Sequence, residues 1–299
     1  MNNITSENNR FYHVLEKLWT RGSMCKPRGL VVKELTNFQY YLNPRERFMN
    51  FDQRKFKLDY AKQEFLWYIR GDRRDTSITK IASMWKDLIN TDGSINSNYG
   101  WYLFNKEATG TNISNFERIA QTLENDPDSR RAAVMILDNE KLNSATKDYP
   151  CTAYINFLVR KNWLNMYVRM RSQDAIFGMG NDAPCFSFTH ELMYTRLKEK
   201  FPDLKLGRYW HLADSFHVYE RHFDMVQDIL ENPMITRDHH EGCPEMSKGE
   251  HIALMFAADR THDWKTGHSE TNIVRNPFTR WLMTRSDPNT LLEASYGDN

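Results

Sequence analysis

Features that would place this chain in a special class are scarce. Only four cysteines occur in 299 residues (Cys25, Cys151, Cys185 and Cys243), and no two form a CxxC pair, so a disulfide scaffold is excluded. All four read as reduced thiols of a cytoplasmic protein. No apolar run approaches the roughly eighteen residues of a membrane span. The opening Met-Asn-Asn-Ile-Thr-Ser-Glu lacks the apolar core of a signal peptide, so the expectation is a protein neither secreted nor membrane-spanning. An excess of one charge is missing too. Forty basic and 39 acidic residues leave a net charge of +1, which argues against a duplex-DNA binder and leaves room for a local arginine cluster on a phosphate. There is no internal repeat, low-complexity tract or Gly/Ser/Pro-rich linker, so one domain over residues 1–299 is expected.

What is present suits an ordinary globular core, with 40% hydrophobic and 26% charged residues. Apolar residues at helical spacing predict helices over Tyr60 to Ile69, around Ile81 to Ile89, and from Ser114 to just before Pro127. A buried helix is predicted from Pro184 to about Lys200, with Pro184 in the first turn, where its missing N–H costs nothing. Ala132 to Leu137 is a short apolar strand. Thr152 to Val159 and Leu164 to Arg171 read as two further strands, the second alternating cleanly with Leu164, Met166, Val168 and Met170 on one face. Helices mixed with mostly antiparallel strands indicate an α+β fold.

The two central strands carry a geometric inference. With Arg160-Lys161-Asn162-Trp163 as a four-residue loop, Val159 faces Leu164, Thr152 faces Arg171 and Cys151 faces Ser172. Cross-strand neighbours lie roughly 5 Å apart at their β-carbons, so a guanidinium comes close to the Cys151 thiol and favours the nucleophilic thiolate. Taken alone, Cys151 also fits a buried thiol on a core strand.

Six ordered segments add a resemblance. They are Glu64-Phe65-Leu66-Trp67-Tyr68-Ile69-Arg70-Gly71-Asp72; Tyr99-Gly100 before a tryptophan; Asn125-Asp126-Pro127-Asp128-Ser129-Arg130-Arg131; Pro150-Cys151; Arg171-Ser172-Gln173-Asp174 with Gly178 following; and Asp214-Ser215-Phe216-His217-Val218-Tyr219. In order and separation these resemble the thymidylate synthase superfamily, closest in character to phage deoxycytidylate hydroxymethylase, over about residues 58 to 230. The resemblance implies a thymidylate synthase-like α+β fold, a sheet-mediated homodimer, 5,10-methylenetetrahydrofolate as co-substrate and no metal. It also implies transfer of a one-carbon unit to carbon 5 of a pyrimidine nucleotide.

Site residues follow position by position from that resemblance. Cys151 is the nucleophile that adds at carbon 6, with Arg171 stabilising its thiolate. Glu64 is the carboxylate that organises water and moves protons. Arg171, Ser172, Arg130 and Arg131 hold the phosphate, the Arg130-Arg131 pair reaching across to the other subunit. His217 and Tyr219, on one strand face, bind the sugar hydroxyl. Asp174 contacts the folate ring, and Trp85 and Tyr99 line the space around folate and cysteine. Arg28, in Lys26-Pro27-Arg28-Gly29, is a candidate for the N-terminal phosphate loop.

The base reader lies eleven residues after Arg171, where thymidylate synthases carry asparagine and this chain carries Asp182. A carboxylate accepts hydrogen bonds and so complements the cytosine amino group and a protonated N3, whereas against uracil O4 it meets another acceptor. The expected reaction is therefore dCMP to 5-hydroxymethyl-dCMP. A one-residue slip after Gly178 would put Asn181 there and restore uracil. Thr152, Met170 and Met179-Gly180-Asn181 depart from the synthase pattern. Residues from about 235 onward, including the tail 293–299, lie outside the resemblance, and His239-His240-Glu241-Gly242-Cys243 reads as a loop rather than a metal cluster. Two alternatives stay open: a dCMP or dUMP methylase, and a non-catalytic nucleotide- or RNA-binding relative. Intact Cys151, Glu64 and Arg171 argue against the second.

Overall fold

The computed structural model describes residues 6–143, 146–258 and 276–284; the tail 293–299 lies outside them. The helices are α1 (Ser6–Arg21), α2 (Leu58–Arg70), α3 (Tyr99–Phe104), α4 (Asn115–Asn125), α5 (Asn139–Asn143), α6 (Phe177–Lys198), α7 (Phe223–Glu231), α8 (Glu250–Ala258) and α9 (Pro277–Met283). The strands are β1 (Ser23–Cys25), β2 (Val32–Leu42), β3 (Ala133–Met135), β4 (Thr152–Arg160), β5 (Trp163–Met170), β6 (Gln173–Asp174) and β7 (Lys205–Tyr219). They form one sheet in the order β1-β2-β7-β5-β4-β3, with β6 pairing β7 to one side. The pairs β5–β7 and β6–β7 are parallel and the others antiparallel, so the sheet is mixed and the fold is α+β.

Helices α2 and α6 pack together behind this sheet, and both are buried nearly all round, as central helices must be. On α2 every residue from Leu58 to Ile69 is buried, including Asp59, Lys62, Gln63 and Glu64. Removing large side chains such as Phe65, Leu66 and Trp67 from water stabilises the fold by about 1.5–3 kcal/mol each. Gly100 allows the close α2–α3 approach: a β-carbon there would lie 1.7 Å from the Tyr68 carbonyl oxygen. The α4 start matches its sequence signal, since Ser114 Oγ accepts from the Glu117 backbone N–H at 3.3 Å and the helix stops at Asn125.

Three sequence expectations are corrected. The segment around Ile81 to Ile89 is not an α-helix but a pair of 3-10 turns, Ser77–Lys80 and Ser83–Leu88. Helix α6 begins at Phe177, so Pro184 lies inside it rather than in its first turn. The β4–β5 loop is two residues, Lys161 and Asn162, both at positive φ (52° and 61°), the geometry that matches strand twist in tight hairpins. The predicted register holds from Val159–Leu164 to Tyr154–Arg169 and then shifts at Ala153, so Thr152 pairs with Met170 instead of Arg171. Such a bulge re-aims whatever follows it, and here it brings Cys151, not Thr152, beside Arg171.

Candidate active site

Cys151 sits at the mouth of the β4–β5 ladder, half-buried. The Arg171 backbone N–H donates to the Cys151 carbonyl at 2.9 Å. The Arg171 guanidinium reaches back along the same segment, donating from Nε to the Pro150 carbonyl (3.1 Å) and from Nη2 to the Tyr149 carbonyl (2.8 Å). From the other side Asp148, 2% exposed, accepts from the Ser97 backbone N–H and hydroxyl, both at 2.6 Å. Tyr99 closes the site through its hydroxyl, which accepts from the Thr152 N–H at 3.4 Å. Burial raises the Cys151 thiol above its ordinary value even though Arg171 and, more weakly, Arg28 pull it down; Asp182 and Asp148 push the same way as burial. The Arg171 guanidinium therefore acts on Cys151 from the Tyr149 and Pro150 carbonyls and not from opposite Thr152, and burial outweighs its pull toward the thiolate that the sequence led us to expect.

Glu64, 5% exposed, occupies a socket between α2 and α6. Tyr60, one turn earlier, donates to Oε1 at 3.1 Å, and the Cys185 thiol donates to Oε2 at 3.6 Å. Trp85 backs this arrangement by donating from Nε1 to the Tyr60 hydroxyl at 3.1 Å. Burial first, and the nearby Asp182 second, push the Glu64 carboxyl up to about 8.

Asp182 lies on the first turns of α6. Gln173 Nε2 donates to its Oδ2 at 3.2 Å, and the Tyr40 hydroxyl donates to Gln173 Oε1 at 3.1 Å. Burial pushes Asp182 up to about 7, opposed by the Gln173 hydrogen bond. The neighbouring Asn181 is engaged differently: its Oδ1 accepts from Arg54 Nη2 at 2.6 Å, while Arg54 Nε donates to the Ile176 carbonyl at 3.0 Å. Gly180 makes room for that guanidinium, since a β-carbon there would lie 2.3 Å from Arg54 Nε.

Other predicted site residues gather around the same space to different degrees. Asp174 Oδ2 accepts from the backbone N–H groups of Phe177 (2.7 Å) and Gly178 (3.1 Å), so this carboxylate caps α6. His217 and Tyr219 share a face of β7, their rings edge to face at 5.0 Å, and Asp174 pairs with His217 across β6–β7. Arg28, in the 3-10 turn Pro27–Gly29, lies close enough to pull down the pKa values of both Cys151 and Tyr219. Ser172 is half-buried next to Arg171. Arg130 and Arg131 stand apart: both are exposed on the turn before β3, where the Arg131 N–H donates to Ser129 Oγ at 3.3 Å, and within one chain they do not join Cys151. In the 239–243 loop, the His240 ring is engaged at both nitrogens: Nδ1 meets Asp238 at 2.7 Å and Nε2 accepts from the Phe48 N–H at 3.0 Å.

Residues 9–247 match the Thymidylate synthase family. The chain belongs to the thymidylate synthase family. The match extends beyond residues 58 to 230 at both ends, taking in β1, β2 and the Arg28 turn. The chain is 28% identical to the deoxycytidylate 5-hydroxymethyltransferase of Enterobacteria phage T6 over 176 residues, covering 56% of this chain and 70% of that one. It is 25% identical to a thymidylate synthase of Coxiella burnetii over 212 residues (68% and 75%) and 27% identical to a deoxyuridylate hydroxymethyltransferase of Bacillus phage SP01 over 220 residues (70% and 56%). Members of the family transfer a one-carbon unit to a pyrimidine nucleotide with methylenetetrahydrofolate as co-substrate. Among the described residues no helix is long and apolar enough to cross a membrane.

Sequence reasoning missed Tyr60, Cys185, Gln173, Tyr40 and Arg54. Tyr60 had a readable signal, being four residues before Glu64 on one helix face. Gln173 sits inside the Arg171-Ser172-Gln173-Asp174 motif. Tyr40, Cys185 and Arg54 come from elements far away in the chain, and nothing local marks them.

Proposed function

We propose that this protein converts dCMP to 5-hydroxymethyl-dCMP. The observation that carries the reading is the divided use of Asn181 and Asp182: Arg54 engages the Asn181 carbonyl, and Asp182 faces the space shared by Cys151, Glu64 and Tyr99. A carboxylate at the base edge accepts from the cytosine amino group and holds a proton on N3.

In this mechanism Cys151 loses its proton and Sγ bonds to carbon 6 of the ring, while Arg171 stabilises the charge on sulfur against the burial that disfavours it. The carbon 5–carbon 6 π electrons move toward N3, where Asp182 stabilises the added proton, and carbon 5 becomes nucleophilic. Methylenetetrahydrofolate, when bound, supplies the one-carbon electrophile. The chain offers it the space beside Tyr60, Trp85 and Glu64, where a buried, largely protonated acid suits proton delivery and the orientation of water. Once carbon 5 has bonded to the one-carbon unit, loss of the carbon 5 proton would release tetrahydrofolate, a water oriented by Glu64 would add its hydroxyl to the methylene left on carbon 5, and expulsion of Cys151 as thiolate would restore the ring. Arg171, Ser172 and Arg28 line the phosphate side, and His217 with Tyr219 the sugar. Arg130 and Arg131 serve the partner subunit of a homodimer formed through the outer face of the sheet. A half-buried aromatic row supports that interface, with Tyr41 and Trp210 at 4.9 Å and Trp210 stacked with Tyr167 at 6.5 Å.

One observation favours a second reading. With its acidity near neutrality, Asp182 is also accessible as the protonated acid, which offers a donor to uracil O4 and an acceptor to N3–H. Incubation with dCMP, dUMP or CMP and methylenetetrahydrofolate, followed by product masses and the dihydrofolate absorbance, separates the readings. A hydroxymethylated dCMP without dihydrofolate is expected. Formation of dTMP with dihydrofolate would replace this reading with thymidylate synthesis, and no product from any nucleotide would favour a binding protein.

A further inference from the structure

The sugar side of the site is laid on two paired strands. Along β7, Ser215, His217 and Tyr219 alternate onto one face, and the β2–β7 register sets Glu34 directly opposite His217 and Thr36 opposite Ser215. Side chains of such partners share a face, so the Glu34 carboxylate reaches diagonally to Ser215, whose hydroxyl donates to Oε1 in a short contact. The Cys25 thiol of β1 donates to the other oxygen, Oε2, at 3.6 Å. Neither Glu34 nor Ser215 has a part in the reaction described above.

Proton counting along these contacts fixes the state of His217, which is 6% exposed. A carboxylate only accepts, so the single proton of Ser215 Oγ points to Glu34, and Oγ is left as an acceptor on its other side. His217 Nδ1 lies 3.3 Å from that Oγ and 3.4 Å from the Ser215 carbonyl oxygen, which also only accepts. Both contacts therefore require a proton on Nδ1; a bare Nδ1 would face two oxygens with no hydrogen between them. In the neutral ring the lone pair then sits on Nε2. Among the described residues Nε2 makes no hydrogen bond, and the ring stands edge to face with Tyr219, the phenol that also feels Arg28 and Cys151.

We infer that Glu34, acting through Ser215, is a positioning residue that holds His217 as the Nδ1–H tautomer, so that Nε2 meets the nucleotide's sugar as an acceptor and selects a sugar with a hydroxyl donor at that point. This rests on the reading of His217 as the sugar contact. Tyr219 can donate or accept, so it adapts to either tautomer and does not by itself tell a hydroxyl from a group that only accepts. A fixed acceptor does: a fluorine in place of the 3′-hydroxyl would meet Nε2 lone pair to lone pair. The base plays no part in this choice.

Magnetic resonance of the protein with isotope-labelled histidine ring nitrogens reads the tautomer directly, because a protonated and a bare ring nitrogen give well-separated signals. His217→Gln identifies the resonance, and a pH of about 8.5 lies above the ordinary imidazole range. The wild-type ring should carry its proton on Nδ1. Glu34→Ala frees the Ser215 hydroxyl to donate to Nδ1, so the proton should move largely to Nε2. Adding Ser215→Ala to Glu34→Ala removes that competing donor and should return the proton to Nδ1, a restoration that loss of structure would not give. Glu34→Gln, whose amide oxygen still accepts from Ser215, should keep the wild-type form. Without folate no turnover enters, and calorimetry then gives the preference for dCMP over its 3′-fluoro analogue, and for dUMP over its own. Both preferences should fall about three- to tenfold in Glu34→Ala and recover in the double variant and in Glu34→Gln. Unfolding temperatures establish that each variant folds, and Glu34→Leu decides by the same signals if Glu34→Ala does not. A proton on Nε2 in the wild type, or one unmoved in folded Glu34→Ala, would overturn the positioning role. A hydroxyl preference that His217→Ala leaves unchanged would instead overturn the sugar reading, whatever the tautomer.

Discussion

The two carboxyl sockets of this site are built on different elements, and the contrast between them separates two ways of tuning an acid. Glu64 is held within the helix pair α2–α6 by a phenol and a thiol, with Trp85 behind the phenol. Asp182 is held at the sheet side of α6 by an amide, with Tyr40 behind it. Both are raised by burial, Glu64 to about 8 and Asp182 to about 7. Around neutrality the first therefore rests mainly protonated and the second lies close to its titration midpoint. Burial sets the direction, and the donors moderate it. Both carboxyls are pushed the same way by burial, and it is their donors, a phenol and a thiol against an amide, that differ.

The largest expected effect comes from removing what both sockets serve. Cys151→Ser should lower turnover by roughly a thousandfold or more while dCMP affinity stays within about threefold, because the hydroxyl keeps the shape and loses the nucleophile. Steady-state rates with calorimetry check this, and substantial residual turnover would end the covalent mechanism.

Glu64→Gln breaks the helix-borne socket alone. It should reduce kcat by roughly a hundredfold or more with little change in nucleotide affinity. It also has a stability signature. The folded protein binds the Glu64 proton more tightly than the unfolded chain does, so stability falls as pH rises from the ordinary carboxylate range to about 8. The penalty is absent at acid pH and complete above that value. Glu64→Gln removes it, so thermal unfolding should show the variant gaining on the wild type at pH 9 relative to pH 5. Parallel unfolding curves at the two pH values would contradict the raised pKa of Glu64.

Asp182→Asn sharpens the sheet-borne side. The kcat/KM ratio of dCMP over dUMP should drop at least about tenfold, equivalent to about 1.4 kcal/mol. The variant amide can flip to serve cytosine, so dCMP activity falls rather than vanishes. An unchanged ratio would move the base reading to Asn181 and favour a uracil nucleotide.

The smallest expected signal tests the residues that neither socket contacts. Inactive Arg131→Ala mixed with inactive Cys151→Ser should regain activity, to roughly a quarter of the wild-type value for random exchange in a dimer. No recovery, with subunit exchange demonstrated by native mass spectrometry, would remove Arg130 and Arg131 from a shared site.

Local pattern carried much of the architecture. The alternation of Leu164, Met166, Val168 and Met170 determined the buried face of β5, and Ser114 with Glu117 determined where α4 begins, because strand period and capping act over a few residues. The hairpin was legible as a pairing, and the motifs brought Cys151, Arg171, Glu64 and Asp182 forward as candidates. Other features were decided elsewhere. The segment Ser83–Leu88 is a 3-10 turn in spite of its helical spacing. The bulge at Ala153 is a ladder irregularity with no local marker, and it is what puts Cys151 opposite Arg171.

The sequence by itself therefore determined the family and the α+β class and brought forward the candidate reactive side chains, since these depend on residue identity and short-range spacing. The tertiary structure decided the protonation behaviour of those side chains. Acidity depends on burial and on donors such as Tyr40, Gln173, Tyr60 and Cys185, which converge from β2, β6, α2 and α6 only when the sheet and helices pack.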